Sequence, residues 1–334
     1  MSKNKDILVT GGAGYVGTSL VPKLLKEGHK VTIYDTFWFI NPEEIEEHQN
    51  LTIIKADIRD LDSFSNALIG KTDVIHLACI SNDPSFDLDP ELGKSINFDC
   101  FEELVKRSKN ANIERFIYAS SSSVYGVKEE PNVTEDLSLE PLTDYSKYKA
   151  DCEKILNSYG DDNFTVVSIR PATVCGYSQR QRLDVVVNIL TNHAINNKVI
   201  KIFGGDQKRP NIHIDDMCDV YLKALIADKK IINKEVYNAG GENLPVKEIA
   251  KLVSEITGVT ELNILPTDDI RSYHISSDKI SKDLGFKAKK SVRDAISDLS
   301  KAMDSGLLEN TMTDSKYFNV QFVKDLSEKA KSRH

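Results

Sequence analysis

The apolar positions of this chain alternate between two periods. Residues 6–10 (Asp6, Ile7, Leu8, Val9, Thr10) form a short apolar run that predicts a buried strand. A glycine cluster follows, and then Val16, Leu20, Val21, Leu24 and Leu25 recur at helical spacing, closed by Gly28 and His29. A second strand, Lys30 to Tyr34, ends at Asp35. A β-α-β unit therefore fills residues 6–35, close to the ~30 residues such a unit needs. The alternation continues with strands at 52–55, 74–77, 116–119, 165–169 and 199–203 and helices at 61–69, 93–110 and 144–159. Strand and helix in turn predict an α/β fold, a doubly wound parallel sheet with helices on both faces. From about residue 180 the pattern is mixed, with helices near 183–197, 215–228, 245–257 and 291–304. We expect a first domain over 1–178 that also receives a segment near 205–235, a smaller discontinuous α/β domain over 179–310, and an extension over 311–334 that forms a terminal helix or an arm against a partner.

Composition narrows the function classes. The chain has 334 residues, 40% hydrophobic and 28% charged, which suits a soluble globular protein, and its net charge of −8 gives nothing that favours nucleic-acid binding. No apolar run approaches the ~20 residues that cross a bilayer, and the N-terminus lacks the features of a secretory leader, so we expect no membrane contact and a cytoplasmic location. Cys79, Cys100, Cys152, Cys175 and Cys218 are odd in number and dispersed, which argues against a disulfide framework; no zinc spacing occurs, so no metal is expected.

The glycine cluster carries the first chemistry. Gly12, Gly14 and Gly17 satisfy G-x-G-x-x-G between a strand and a helix. Backbone without side chains turns tightly there, and the helix N-terminus offers free N–H groups to a pyrophosphate. Asp35 ends the second strand, where a carboxylate accepts the adenosine ribose hydroxyls and repels a 2′-phosphate; no arginine follows it, so NAD is favoured over NADP. Asp57, Ile58 and Arg59 follow the third strand and either touch the adenine edge or form an ordinary strand-end turn.

Two further features carry the reaction. Tyr145 and Lys149 stand one helical turn apart. An ammonium there would favour the phenolate, and a tyrosine so tuned takes a proton from an alcohol as hydride leaves. Ser120 to Ser123 follow the strand at 116–119, at the carboxyl end where ligands of such sheets bind.

With TGGAGYVG (10–17), Asp35, DIR (57–59), HLA (76–78), SSSSVYG (120–126), YSKYK (145–149), IRPATVCG (169–176) and RPNIHIDD (209–216) in order, the chain resembles the extended short-chain dehydrogenase/reductase superfamily, in its NAD-dependent nucleotide-sugar epimerase/dehydratase branch, of the UDP-galactose 4-epimerase kind. The resemblance implies a Rossmann domain and an NAD site made by Gly11, Gly14, Tyr15, Val16, Gly17, Asp35, Asp57, Ile58, Leu77, Ala78, Asn97, Tyr145, Lys149 and Pro171. It makes Tyr145 the base, Lys149 its partner and Ser121 the catalytic serine. For a nucleotide-diphosphate sugar it implies Ser81, Ser121, Ser122, Thr173, Asn188 and Phe203, with Arg209 and Arg271 on the diphosphate. Thr173 replaces an asparagine of galactose epimerases, which leaves the sugar open. Arg180 and Arg182 sit in a loop that reaches toward the sugar, while His213 and His76 read as structural.

The expected reaction is NAD-dependent oxidation at C4 of the sugar, as a 4-epimerase or, alternatively, as a C4 dehydrogenase that releases the 4-keto sugar. The dehydratase branch carries an Asp-Glu pair where this chain has Ser122 and Ser123, which disfavours 4,6-dehydration. Relatives dimerise through two helices, here 93–110 and 144–159, so a homodimer is expected; Cys100, Phe101, Leu104 and Val105 would supply its apolar face or pack inside one chain.

Overall fold

The computed structural model describes residues 4–130, 132–267 and 274–331. In chain order its strands are β1 Asp6–Thr10, β2 Lys30–Asp35, β3 Leu51–Lys55, β4 Asp73–His76, β5 Arg115–Ala119, β6 Thr165–Pro171, β7 Thr173–Cys175, β8 Ile200–Phe203, β9 Lys208–His213, β10 Glu235–Ala239, β11 Glu242–Pro245 and β12 Leu262–Leu265. The helices are α1 Gly17–Lys26, α2 Leu61–Ala67, α3 Asp83–Leu88, α4 Pro90–Lys94, α5 Phe101–Asn110, α6 Asp144–Tyr159, α7 Val186–Asn197, α8 Ile214–Ile226, α9 Lys229–Ile232, α10 Val246–Thr257, α11 Asp278–Leu284, α12 Val292–Asp304 and α13 Asn319–Lys331.

Seven strands form one parallel sheet in the order β10-β6-β5-β4-β1-β2-β3. Side-chain alternation splits its core between two faces. Ile7 and Val9 of β1 and Ile117 of β5 join Leu20, Leu24, Met217 and Tyr221 on one face. Leu8, Phe116 and Tyr118 join Phe64, Phe101, Leu104 and Leu156 on the other. Each buried phenyl there contributes about 1.5–3 kcal/mol. A third core, with Val187, Leu190, Ile249, Val253 and Ile296, joins α7, α10 and α12 beside the small β8–β12 sheet.

Two expectations change, and one open alternative is decided. The strand at 199–203 belongs to the small sheet, and the seventh place in the large sheet goes to β10. The helix over 93–110 is interrupted: α4 ends at Lys94 and a π-helical turn spans Ser95–Asp99 before α5 begins. Cys100, Phe101, Leu104 and Val105 are buried in their own chain's core, so they supply no dimer face. Among the described residues, no helix is long and apolar enough to cross a membrane.

Candidate functional site

A cavity of about 600 Å³ runs from the glycine turn past the carboxyl ends of the central strands to β8 and β9. At one end, the turn before α1 is closed by backbone. Gly14 N donates to Gly11 O at 3.0 Å, and Gly11 N to Tyr34 O at 2.9 Å. Gly11 has φ +72°, and a Cβ there would stand 2.6 Å from Ala78 N; a Cβ on Gly17 would stand 2.5 Å from Gly12 O. Neither position admits a side chain. Asp35 lies on the wall with both oxygens held by backbone, one accepting from Ala13 N at 3.0 Å and the other from Phe37 N at 2.9 Å. Burial raises its carboxyl, and these N–H groups and Arg180 oppose that rise.

The stretch of wall that carries Ser121, Tyr145 and Lys149 is built on β5 and α6. Thr143 caps α6 by accepting from Ser146 N at 3.2 Å, which fixes the turn that carries Tyr145. Lys149 Nζ donates to Ala119 O at 2.7 Å and stands 5.8 Å from the Tyr145 ring centroid. Tyr145 is 7% exposed. Burial, with Cys79 and Asp83 nearby, raises its phenol well above the ordinary value, while Arg182 and a hydrogen bond with Ser121 pull it down. The expectation that Lys149 lowers the phenol is therefore corrected. In the chain alone desolvation dominates, and the cation that opposes it most is Arg182.

Beneath the serine turn lies a buried polar network. Ser120 Oγ donates to Glu153, Arg170 donates to Glu153 at 3.0 and 2.7 Å and to the Tyr125 hydroxyl at 2.7 Å, and that hydroxyl donates to Asn238 Oδ1 at 2.8 Å. These bonds fix β5, β6, β10 and α6 around Ser121.

Of the expected contacts, Gly11, Gly14, Tyr15, Val16, Gly17, Asp35, Asp57, Ile58, Leu77, Ala78, Pro171, Ser81, Ser121, Ser122, Thr173, Phe203 and Arg209 share the cavity wall with Tyr145 and Lys149. Two do not reach it. Asn97 braces the Ile80 backbone, accepting from its N at 2.8 Å and donating to its O at 2.9 Å. Asn188, fully buried, donates to the Tyr15 hydroxyl at 3.0 Å and to Arg182 O at 2.8 Å. Arg271 lies outside the described residues. His76 bonds Thr10 Oγ1 at 2.7 Å within the sheet, and His213 caps α8 through Asp215 N at 3.1 Å; both are structural. His213, Asp215 and Asp298 gather within 4.8 Å, but Lys290 bridges the two carboxylates at 2.8 and 3.0 Å and fills the role a cation would take.

Arg180 and Arg182, whose loop is expected to reach toward the sugar, do line the wall, which also holds residues that the sequence does not mark: Trp38, Phe39, Asp83, Asp184, Asn319 and Val323. Arg182 donates to Asp184 at 2.6 Å and to Ser81 at 3.1 Å, leaving a buried Nη2 without a partner. Arg180 is 4% exposed, its guanidinium 3.7 Å from the Phe39 ring centroid and its Nε likewise without a partner. A barred-Cβ glycine turn, a fixed carboxylate and an orphaned buried guanidinium nitrogen together fit a dinucleotide.

Comparison with known proteins agrees. The NAD dependent epimerase/dehydratase family matches residues 7–240. The uncharacterized protein y4nG of Sinorhizobium fredii is 31% identical over 75% of this chain, which spans 60% of that protein's length. An uncharacterized UDP-glucose epimerase, YtcB of Bacillus subtilis, is 30% identical over 75% of this chain and 82% of its own. The crystal structure of UDP-glucuronic acid 4-epimerase from Bacillus cereus, in complex with UDP-glucuronic acid and NAD, matches 90% of this chain and 99% of its own at 29% identity with a TM-score of 0.81. A Rossmann sheet, a glycine turn against Ala78 and a Tyr145–Lys149 pair at its open end are thus joined in one enzyme whose cofactor is NAD, and the chain belongs to the NAD-dependent epimerase/dehydratase family.

Proposed function

We propose that this enzyme is a nucleotide-sugar 4-epimerase. The observation that carries the reading is one continuous cavity whose wall is shared by the glycine turn, by Tyr145 and Ser121, and by Phe203 and Arg209. When bound, NAD supplies the redox chemistry at C4. Tyr145 takes the proton of the C4 hydroxyl and later returns it, Ser121 hydrogen-bonds the same oxygen, Lys149 holds the end of β5, and the Arg182 charge opposes the desolvation of the phenol. Arg209, with Arg271, binds the diphosphate and Phe203 packs on the base.

The serine turn brings no carboxylate into the cavity, which supports epimerisation over 4,6-dehydration. Asp83 accepts from Thr143, and Asp184 is held by Arg182 and Asn319. The five cysteines are all unpaired, which fits a reducing cytoplasm. A homodimer through α5 and α6 would bring together helices on which Glu102, Lys106 and Lys147 are exposed and Tyr148, Ile155 and Tyr159 half-buried.

The test is to incubate the protein with UDP-, GDP-, CDP- and dTDP-sugars, follow NADH absorbance, and identify products by NMR. An epimer pair without net NADH is expected, and Tyr145→Phe retains NAD while losing turnover. Net NADH with a released keto sugar would overturn epimerisation.

A further inference from the structure

The end of the chain closes on the cavity. Asn319 opens α13, and its three polar groups reach three different wall residues. Its backbone N donates to Asp184 Oδ2 at 2.9 Å, its Nδ2 donates to Ser81 Oγ at 2.9 Å, and its Oδ1 accepts from Arg180 Nη2. Just ahead of it, Tyr317 O accepts from Leu183 N at 2.8 Å. Just after it, the Phe322 ring lies 4.4 Å from the Phe39 ring and 6.1 Å from Trp38. The guanidinium of Arg180 also packs on Phe39, and Arg180 N donates to Thr18 Oγ1 at 3.2 Å on the first turn of α1. The segment from Tyr317 to Val323 thus joins the loop after Asp35, the loop that carries Ser81, and the loop that carries Arg180 and Arg182. Asn319 and Val323 form part of the wall themselves.

We propose that this C-terminal segment is a strap that retains NAD, with Asn319 as its latch and the Phe39–Phe322 contact as its second hold. The inference rests on the NAD site and not on the sugar reaction. The Arg180–Asn319 bond is charge-assisted, and it sits where water is excluded, so it opens seldom. Asn319 is then a positioning residue: it acts on the cofactor through Arg180 and Ser81. The consequence is a resident cofactor that stays bound between turnovers.

The experiment loads the full-length holoenzyme with NAD and follows its replacement by a fluorescent etheno-adenine analogue, with no sugar present, so its outcome is separable from the epimerase reading. Asn319→Ala and Phe322→Ala are expected to release NAD about tenfold faster, with Phe322→Leu restoring slow release. Hydrogen exchange on the unmodified chain gives a second readout that needs no variant to fold: NAD should slow amide exchange across residues 317–325. Release rates unchanged in the folded variants, or exchange in that segment indifferent to NAD, would overturn the strap.

Discussion

Arg182 Nη1 donates to Ser81 Oγ at 3.1 Å, and this bond holds a buried guanidinium on the same wall as the phenol of Tyr145. Its Nε is fixed by Asp184 at 2.6 Å, so the charge cannot swing away. Burial raises the Tyr145 phenol, and among the charged groups that oppose this, Arg182 comes first.

Arg182→Met removes that opposition. The phenol rises further, so the limb of the pH–rate profile that reports the phenolate moves to higher pH. The rate at pH 7 then falls about tenfold each time that limb climbs by one on the pH scale. Steady-state rates from pH 6 to 10 check this. An ascending limb that stays where it was would show that Arg182 has no electrostatic hold on the base.

His76 should make the fold acid-sensitive. Burial, reinforced by Lys149, pushes its imidazole down to about 3. A group whose folded pKa is depressed below the unfolded value of about 6.5 contributes stability that is present above that value and lost as pH falls through the window down to about 3. Urea unfolding at pH 7.5 and 4.5 should show a drop that His76→Gln reduces. An equal drop in the two proteins would remove His76 from the account.

Glu153→Gln takes the anion away from Arg170, leaving a buried cation bonded mainly to Tyr125. Breaking one partner of a buried pair costs about 3–5 kcal/mol. Because Glu153 also accepts from Ser120, the loss should disturb the neighbouring Ser121 and lower kcat more than it raises KM. Chemical denaturation beside steady-state kinetics measures both.

Gly11→Ala places a methyl 2.6 Å from Ala78 N on backbone with φ +72°. Strain of that kind costs about 1–3 kcal/mol, and here it pushes β4 away from the dinucleotide turn. Calorimetry should show weakened NAD binding together with a lowered Tm.

Much of the fold is written locally. The β1–α1–β2 unit and Asp35 follow from apolar period and glycine spacing, because both are set within a few residues. Tyr145 and Lys149 are legible for the same reason. Asn97 and Asn188 read as ligand contacts in the sequence because a motif fixes where a residue sits but not where its amide points; the π-helical turn at 95–99 carries Asn97 onto Ile80 instead. Strand β10 has no clear pattern because Glu235 to Ala239 mixes polar and apolar residues and gains its strand character from pairing with β6. The roles of Arg182 and Asn319 depend on contacts across more than a hundred residues, as in Ser81 with both, and no local pattern records those.

The Ser120–Glu153–Arg170–Tyr125–Asn238 network anchors the reacting groups to four elements of the large sheet and its flanking helix, whereas Ser81, Arg180, Arg182 and Asn319 all stand on connecting segments or at their junctions. The serine turn and the helix of Tyr145 therefore ride on a stiff frame, whereas the groups that bear on the phenol's charge and on the hold over NAD ride on loops. Exchanging the segments around 81–83, 178–185 or 319–323 would leave the sheet standing while it retunes the working pH of the phenol and the residence of the cofactor.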